Sequence, residues 1–121
     1  MVRWVLAFLF ASMPALAANW SGALVDAKCY EAQERNKNAR DTLDLVDRDR
    51  EYEIRYCTPT AKTKSFMLVD HDSLSYKLDP AGDTKASDLF QKTGRRKYFM
   101  VNITGELTKN TLKVESIATT Q

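Results

Sequence analysis

The first seventeen residues read as a removable leader, and they bound everything that follows. Met1-Val2-Arg3 makes a short positive start, residues 4–13 are almost unbroken apolar sequence, and Ala15-Leu16-Ala17 puts small residues at the two positions a signal peptidase inspects. This is the three-part layout of a secretory signal, and its apolar run is too short to span a bilayer stably. The mature chain is expected to begin near Ala18 and to form one domain over 18–121, since about a hundred residues suffice for one domain and not two. A domain of this size buries a modest core, so a covalent staple would matter. With Arg3 removed, 17 basic residues face 16 acidic ones. That balance gives no whole-molecule field to draw the chain to nucleic acid or to an anionic membrane. No second apolar run is long enough to cross a membrane, and Lys28 before Cys29 is wrong for lipoprotein cleavage. The expectation is a periplasmic or secreted protein with no transmembrane segment after cleavage, no cofactor and no nucleic-acid partner.

Two cysteines remain, Cys29 and Cys57. In an oxidising compartment an even pair reads most simply as a disulfide. Free thiols and a redox-active couple are the alternatives. The redox couple usually takes a Cys-x-x-Cys spacing at a helix start, which this pair lacks.

Hydrophobic period divides the rest of the chain. Residues 20–26 (WSGALVD) read as a first strand, with Trp20, Gly22 and Leu24 on one face and Ala23 and Val25 on the other, so both faces are expected to be covered. Gly22 inside a strand signals a bulge or a close backbone approach. Residues 31–53 are dense in charge, lack Gly and Pro, and carry Ala39, Leu43 and Val46 at helical spacing, which predicts a surface helix. Residues 52–56 alternate and suggest a short extended piece, and Pro59 stops regular structure. Residues 65–70 read as a buried strand, His71-Asp72-Ser73 as a turn, and Leu74, Tyr76 and Leu78 as the alternating partner strand of a hairpin. Asp79-Pro80-Ala81-Gly82 carries a turn signal. A short helix follows over 84–93, capped by Thr84 or Ser87, anchored by Leu89 and Phe90 and ended by Gly94. Residues 95–107 form the longest predicted strand, with Phe99, Val101 and Ile103 on one face. In the last strand Leu112 and Val114 alternate and Ile117 falls after a one-residue bulge, while Thr119-Thr120-Gln121 is expected to fray.

The predicted class is therefore mainly β with minor α. Five short strands, one helix between strands 3 and 4 and a helical insertion after strand 1 make the element order of an OB-like Greek-key barrel. A five-stranded sheet with two packed helices is the rival architecture.

Several strings also form a pattern together. They are Trp20-x-Gly22 running into Val25-Asp26-x-x-Cys29, the later Cys57, Tyr76-x-Leu78, Val101-x-Ile103-x-Gly105-x-Leu107, and Leu112-Lys113-Val114-Glu115-Ser116-Ile117. This set resembles small exported bacterial domains of unknown function, from a Trp-Gly-Val-Asp-x-x-Cys start to a final Val-x-Gly-x-Leu and Ile-x-Val-x-Ser-Ile hairpin. The resemblance spans most of the mature chain and implies an OB-like fold outside the cytoplasm. It carries no activity. The chain departs from the pattern in lacking extra cysteines around the second one and in its longer charged segment over 31–50.

Candidate chemistry is sparse. Asp70-His71-Asp72 holds the chain's one histidine between two carboxylates, a string that could ligate a metal or act as a general base, but its place in a two-strand turn favours a backbone role. Asp26 could orient a ligand, or cap the turn that leaves strand one. Arg95, Arg96, Lys97 and Tyr98, with Lys62 and Lys64, form the best basic cluster, and Tyr98, Tyr76, Tyr56 and Phe66 could supply stacking surfaces. Such residues are more often solvated strand starts and core aromatics. In an exported protein an anionic glycan, a lipid headgroup or an acidic protein suits that cluster better than nucleic acid. Ser73, Ser75 and Ser87 lie in no Gly-x-Ser-x-Gly motif, the four glycines are scattered singly, and the sequon Asn102-Ile103-Thr104 falls within a predicted strand. The expected function is a non-catalytic ligand- or partner-binding module of the cell envelope or secretome. The alternative is a periplasmic stress-related protein binding small cations or anionic ligands. A hydrolase comes third.

Overall fold

The computed structural model describes residues 17–35, 43–94 and 99–120. Residues 1–16 of the expected leader, and the cluster members Arg95, Arg96, Lys97 and Tyr98, lie outside the described residues. The chain runs β1 (Ala18–Asp26), α1 (Ala27–Arg35), α2 (Leu43–Tyr56), β2 (Phe66–Val69), β3 (Ser75–Leu78), α3 (Pro80–Thr93), β4 (Phe99–Thr108) and β5 (Thr111–Thr119). The five strands form one sheet whose hydrogen bonds close into a ring in the order β1-β2-β3-β5-β4. All neighbours are antiparallel except β3 and β5, which pair in parallel through Lys77 with Thr111 and Leu78 with Leu112. No helix among the described residues is long and apolar enough to cross a membrane.

The alternation of β1 builds two cores at once. Leu24 points inside the ring, where it meets Phe66, Leu68, Phe99, Val101 and Ile103, with Trp20 packed at the margin. Ala23 and Val25 point outward and are buried by Tyr30 of α1, by Ile54 of α2 and by Cys57. Gly22 makes this double burial possible, because a Cβ there would run into the carbonyl of Val69. The half-buried Trp20 donates its indole N–H to the carbonyl of Gly105 at 3.2 Å and meets Tyr76 edge-on, with ring centroids 5.3 Å apart. In β5 the pairing slips by one residue, since Thr104 faces Ser116 while Gly105 faces Val114. Glu115 is the extra residue, so the expected bulge falls just before Ile117.

The structure differs from four of these expectations. Residues 52–56 are helical, not extended: Tyr52 and Tyr56 lie one turn apart on the exposed side of α2 while Glu53 and Ile54 are buried. Five residues are too few to separate a period of 2 from one of 3.6. The helix after β3 begins at Pro80, not near Thr84. Asp79 is its N-cap, accepting the Gly82 N–H at 2.8 Å, and Pro80 takes the first helical turn, where its missing N–H is harmless. The same Asp79 carboxylate accepts the Val114 N–H at 3.2 Å, so the cap also holds β5. Finally, Thr119 is the last residue of β5 and pairs with Val101, and the Thr120 N–H reaches the Met100 carbonyl at 3.1 Å, so these two residues are held to the sheet instead of fraying, while Gln121 lies outside the described residues. Leu74, expected within β3, precedes it and is exposed.

The inserted segment after β1 holds two helices, α1 and α2, with residues 36–42 outside the described set. A disulfide joins Cys29 of α1 to Cys57, just past α2, across a sequence separation of 28. Closing a loop of that length should contribute about 3–4 kcal/mol on the chain-entropy estimate. Replacing both cysteines by alanine is accordingly expected to lower the unfolding free energy, read from urea denaturation at neutral pH, by about 3 kcal/mol. A change below about 1 kcal/mol would show that Asp26 and the buried contacts of α2 hold the insertion without the covalent link.

Candidate functional site

The segment between α2 and β2 has no regular structure, yet its backbone is pinned along its length. The Thr58 hydroxyl closes the end of α2 by donating to the carbonyls of Ile54 and Arg55 at 3.3 and 3.0 Å. Pro59 is fully buried. Thr60 and Thr63 then fasten each other. The Thr60 N–H reaches the Thr63 hydroxyl at 2.9 Å, the Thr63 N–H reaches the Thr60 carbonyl at 3.0 Å, and the Lys62 N–H reaches the Thr60 hydroxyl at 3.1 Å. The buried Thr63 hydroxyl donates to Asp26 Oδ2 at 2.8 Å, tying the loop to the end of β1. Lys62 and Lys64 flank this anchored threonine and are both exposed.

These lysines form one wall of an open cleft of about 640 Å³. The other wall is α3, through Asp83, Thr84, Ser87, Asp88 and Gln91. The helix presents these residues because Gly82, Ala86 and Phe90 face the core. Thr84 and Ser87, expected as caps, therefore become cleft residues. Asp83 is the least exposed of the cleft carboxylates, and its Oδ1 accepts the Phe66 N–H at the start of β2 at 2.9 Å. Burial pushes its pKa above the usual 3.8, and the negative Asp79 nearby adds to the rise, against the opposing pull of the Phe66 N–H and Lys77. Lysines across from hydroxyls, an amide and two carboxylates can hold an anionic group on one side and hydrogen-bonding groups on the other.

The other candidates resolve differently. Asp70 organises the β2–β3 turn: its Oδ1 accepts the N–H groups of Asp72 and Leu74 at 2.9 and 3.0 Å, and Ser73 has a φ of 68°. Arg50 of α2 donates to the Asp70 carbonyl at 2.9 and 2.6 Å, so the insertion grips this turn through backbone. His71 is exposed, with Nε2 3.6 Å from Asp72 Oδ1. Among the described residues no three His, Cys, Asp or Glu side chains converge as a metal would require. Asp26 caps α1 by accepting the Cys29 N–H at 3.1 Å. Of the expected stacking aromatics, Phe66 and Tyr76 belong to the interior, while Tyr56 is exposed and stacks on Tyr52. Lys62 and Lys64 do come together, and Arg95, Arg96, Lys97 and Tyr98 fall outside the described residues. Asp83, Asp88 and Gln91 of the α3 wall, and Tyr52, are not among the site residues expected from the sequence. The exposed helical spacing of 84, 87, 88 and 91, and the i, i+4 tyrosines, were the available clues. Comparison with protein-family models, with curated proteins and with solved structures gave no match.

Asp83 generates a pH expectation. Its proton is held more tightly in the folded than in the unfolded chain, so its contribution to stability is present below pH 3.8 and is lost as pH rises through the raised folded value. Asp83→Asn keeps an oxygen for the Phe66 N–H and removes the buried charge. The variant should match or exceed the parent in urea midpoint at pH 7, and the difference should close below pH 3.8. A variant clearly weaker at pH 7 would mean that the charge itself stabilises the start of β2.

Proposed function

We propose that this chain is an exported, non-catalytic module of OB-like architecture that binds an anionic, hydroxyl-bearing ligand in the cleft between Lys62, Lys64 and α3. The observation that carries the reading is the anchored loop. Two lysines are displayed on a backbone held by Thr60, Thr63 and Asp26, so little order has to be gained when a ligand arrives. An acidic sugar fits the two walls. Its carboxylate suits the lysines, and its hydroxyls suit Thr84, Ser87 and Gln91, which can both donate and accept, and Asp88, which accepts.

Supporting the OB-like reading are the ring order β1-β2-β3-β5-β4, the parallel β3–β5 pairing and a helix between β3 and β4. Support for export comes from the leader pattern over 1–17 and from the disulfide, which suits an oxidising compartment. The small-cation alternative loses ground because Asp70 is engaged with turn amides and His71 faces solvent.

The test is a titration of the isotopically labelled mature protein with galacturonic acid at low salt, followed by amide chemical shifts. Shifts should cluster at residues 62–64 and 83–91, weaken with added salt, and show about tenfold poorer affinity in Lys62→Ala/Lys64→Ala, the loss expected for two exposed charge contacts of about 0.5–1 kcal/mol each. Absence of shifts in the cleft, or equal binding by the double variant, would overturn the proposal.

A further inference from the structure

The exposed face of α2 carries the most unusual surface feature of the described residues. Tyr52 and Tyr56 are 59% and 60% exposed, and they lie one helical turn apart with ring centroids 5.8 Å apart and planes inclined by 27°. Leu74 and Leu107 are the other large apolar side chains left exposed among the described residues. Neither tyrosine belongs to either core cluster. Their helix is nonetheless held firmly beneath them: Ile54 and Cys57 are buried, the disulfide fixes Cys57 to α1, and the Cys57 carbonyl accepts the Asp26 N–H at 2.8 Å. The result is a pair of stacked, exposed rings on a firmly seated helix, outside both core clusters of the described residues.

We infer that the ligand of the Lys62–Lys64 cleft is an oligosaccharide of acidic sugars, and that it extends from the cleft onto Tyr52 and Tyr56, where a sugar ring stacks. The inference rests on the proposed cleft and deepens it by naming a polymer as the ligand. Lys62 follows Tyr56 by six positions, a reach of at most about 20 Å for extended chain. The hydrogen-bonded turn at 60–63 shortens that span. A short oligosaccharide can bridge it.

The chemistry of the patch selects this occupant over a folded partner. A sugar ring offers an apolar C–H face to the negative face of an aromatic ring and hydroxyls at its edge. Beside the tyrosines, Glu51 and Arg55 form an ion pair at 3.3 Å, both more than half exposed. That pair places a donor and an acceptor at the edge of the stacked rings. Two rings bordered by charge are a small area against the roughly 800 Å² per side of a stable protein interface.

The test compares galacturonate monomer, trimer and hexamer, with neutral maltohexaose as control, by calorimetry on the mature protein, on Tyr52→Ala/Tyr56→Ala and on Lys62→Ala/Lys64→Ala. Both tyrosines are surface residues, and far-UV dichroism would confirm that their variant keeps its helices. The monomer should bind parent and tyrosine variant alike. The hexamer should bind the parent at least tenfold more tightly than the monomer, and the tyrosine variant should lose that gain. Tyrosine fluorescence should respond to the hexamer and not to the monomer. A gain with length that survives in the tyrosine variant, or no gain in the parent, would overturn the inference while leaving the cleft intact. Failure of the monomer to bind at the lysines would overturn the cleft reading and the inference with it. Dimerisation of the parent that the tyrosine variant abolishes would assign the rings to a second copy of the chain and overturn the inference.

Discussion

Asp26 joins most of the parts on which this structure depends. It ends β1, and its two carboxylate oxygens go to different places. One accepts the Cys29 N–H and so starts α1; the other accepts the Thr63 hydroxyl and so fixes the loop before β2. Its own backbone N–H donates to the Cys57 carbonyl at the end of α2. A single residue thus connects a strand, two helices and the loop that carries Lys62 and Lys64. A carboxylate accepting amide and hydroxyl donors in a half-buried setting makes stronger hydrogen bonds than a neutral acceptor would. The disulfide reinforces the same junction from a few residues away.

From that junction the two faces of β1 divide the work of the fold. The inner face closes the ring of strands around Phe66, Leu68, Phe99 and Ile103. The outer face is covered by α1 and α2, so the charged insertion is no loose appendage: its buried side, Tyr30 with Ile54, forms a second core. Burial raises the Tyr30 phenol pKa well beyond its usual value, with Glu34 and Glu53 adding to the rise and Arg50 opposing it, so Tyr30 stays neutral. Because the insertion is seated in this way, its outer side can present Tyr52 and Tyr56, and the loop after it can present lysines, without cost to the core.

Much of this architecture was legible in local sequence period. The opposite faces of residues 20–25, the close approach at Gly22 and the bulge before Ile117 all follow from two-residue alternation and its interruptions. The helix start at Asp79-Pro80 is not legible locally, because Asp followed by Pro signals a turn and a helix N-terminus equally well. Only the later residues, with Ala86 and Phe90 at i, i+4, decide between them. The strand expected over 52–56 failed because five alternating residues are too few to fix the period: in the helix Tyr52 and Tyr56 share the exposed side and Ile54 is buried on the other, and the burial of Glu53 beside Tyr30 runs against any composition-based reading of a charged residue. The cleft was invisible for a different reason. Its walls come from residues about twenty positions apart, and Asp83 joins them only by reaching across to the N–H of Phe66. No local pattern records that contact.

The central claim is that Lys62 and Lys64 are held ready by Asp26, and backbone order parameters from ¹⁵N relaxation test it most directly. In the parent, amides 60–64 should show values near those of β4, about 0.85, and in Asp26→Ala they should fall below about 0.6 while β4 keeps its order. A loop already disordered in the parent, or one equally ordered in Asp26→Ala, would contradict the account.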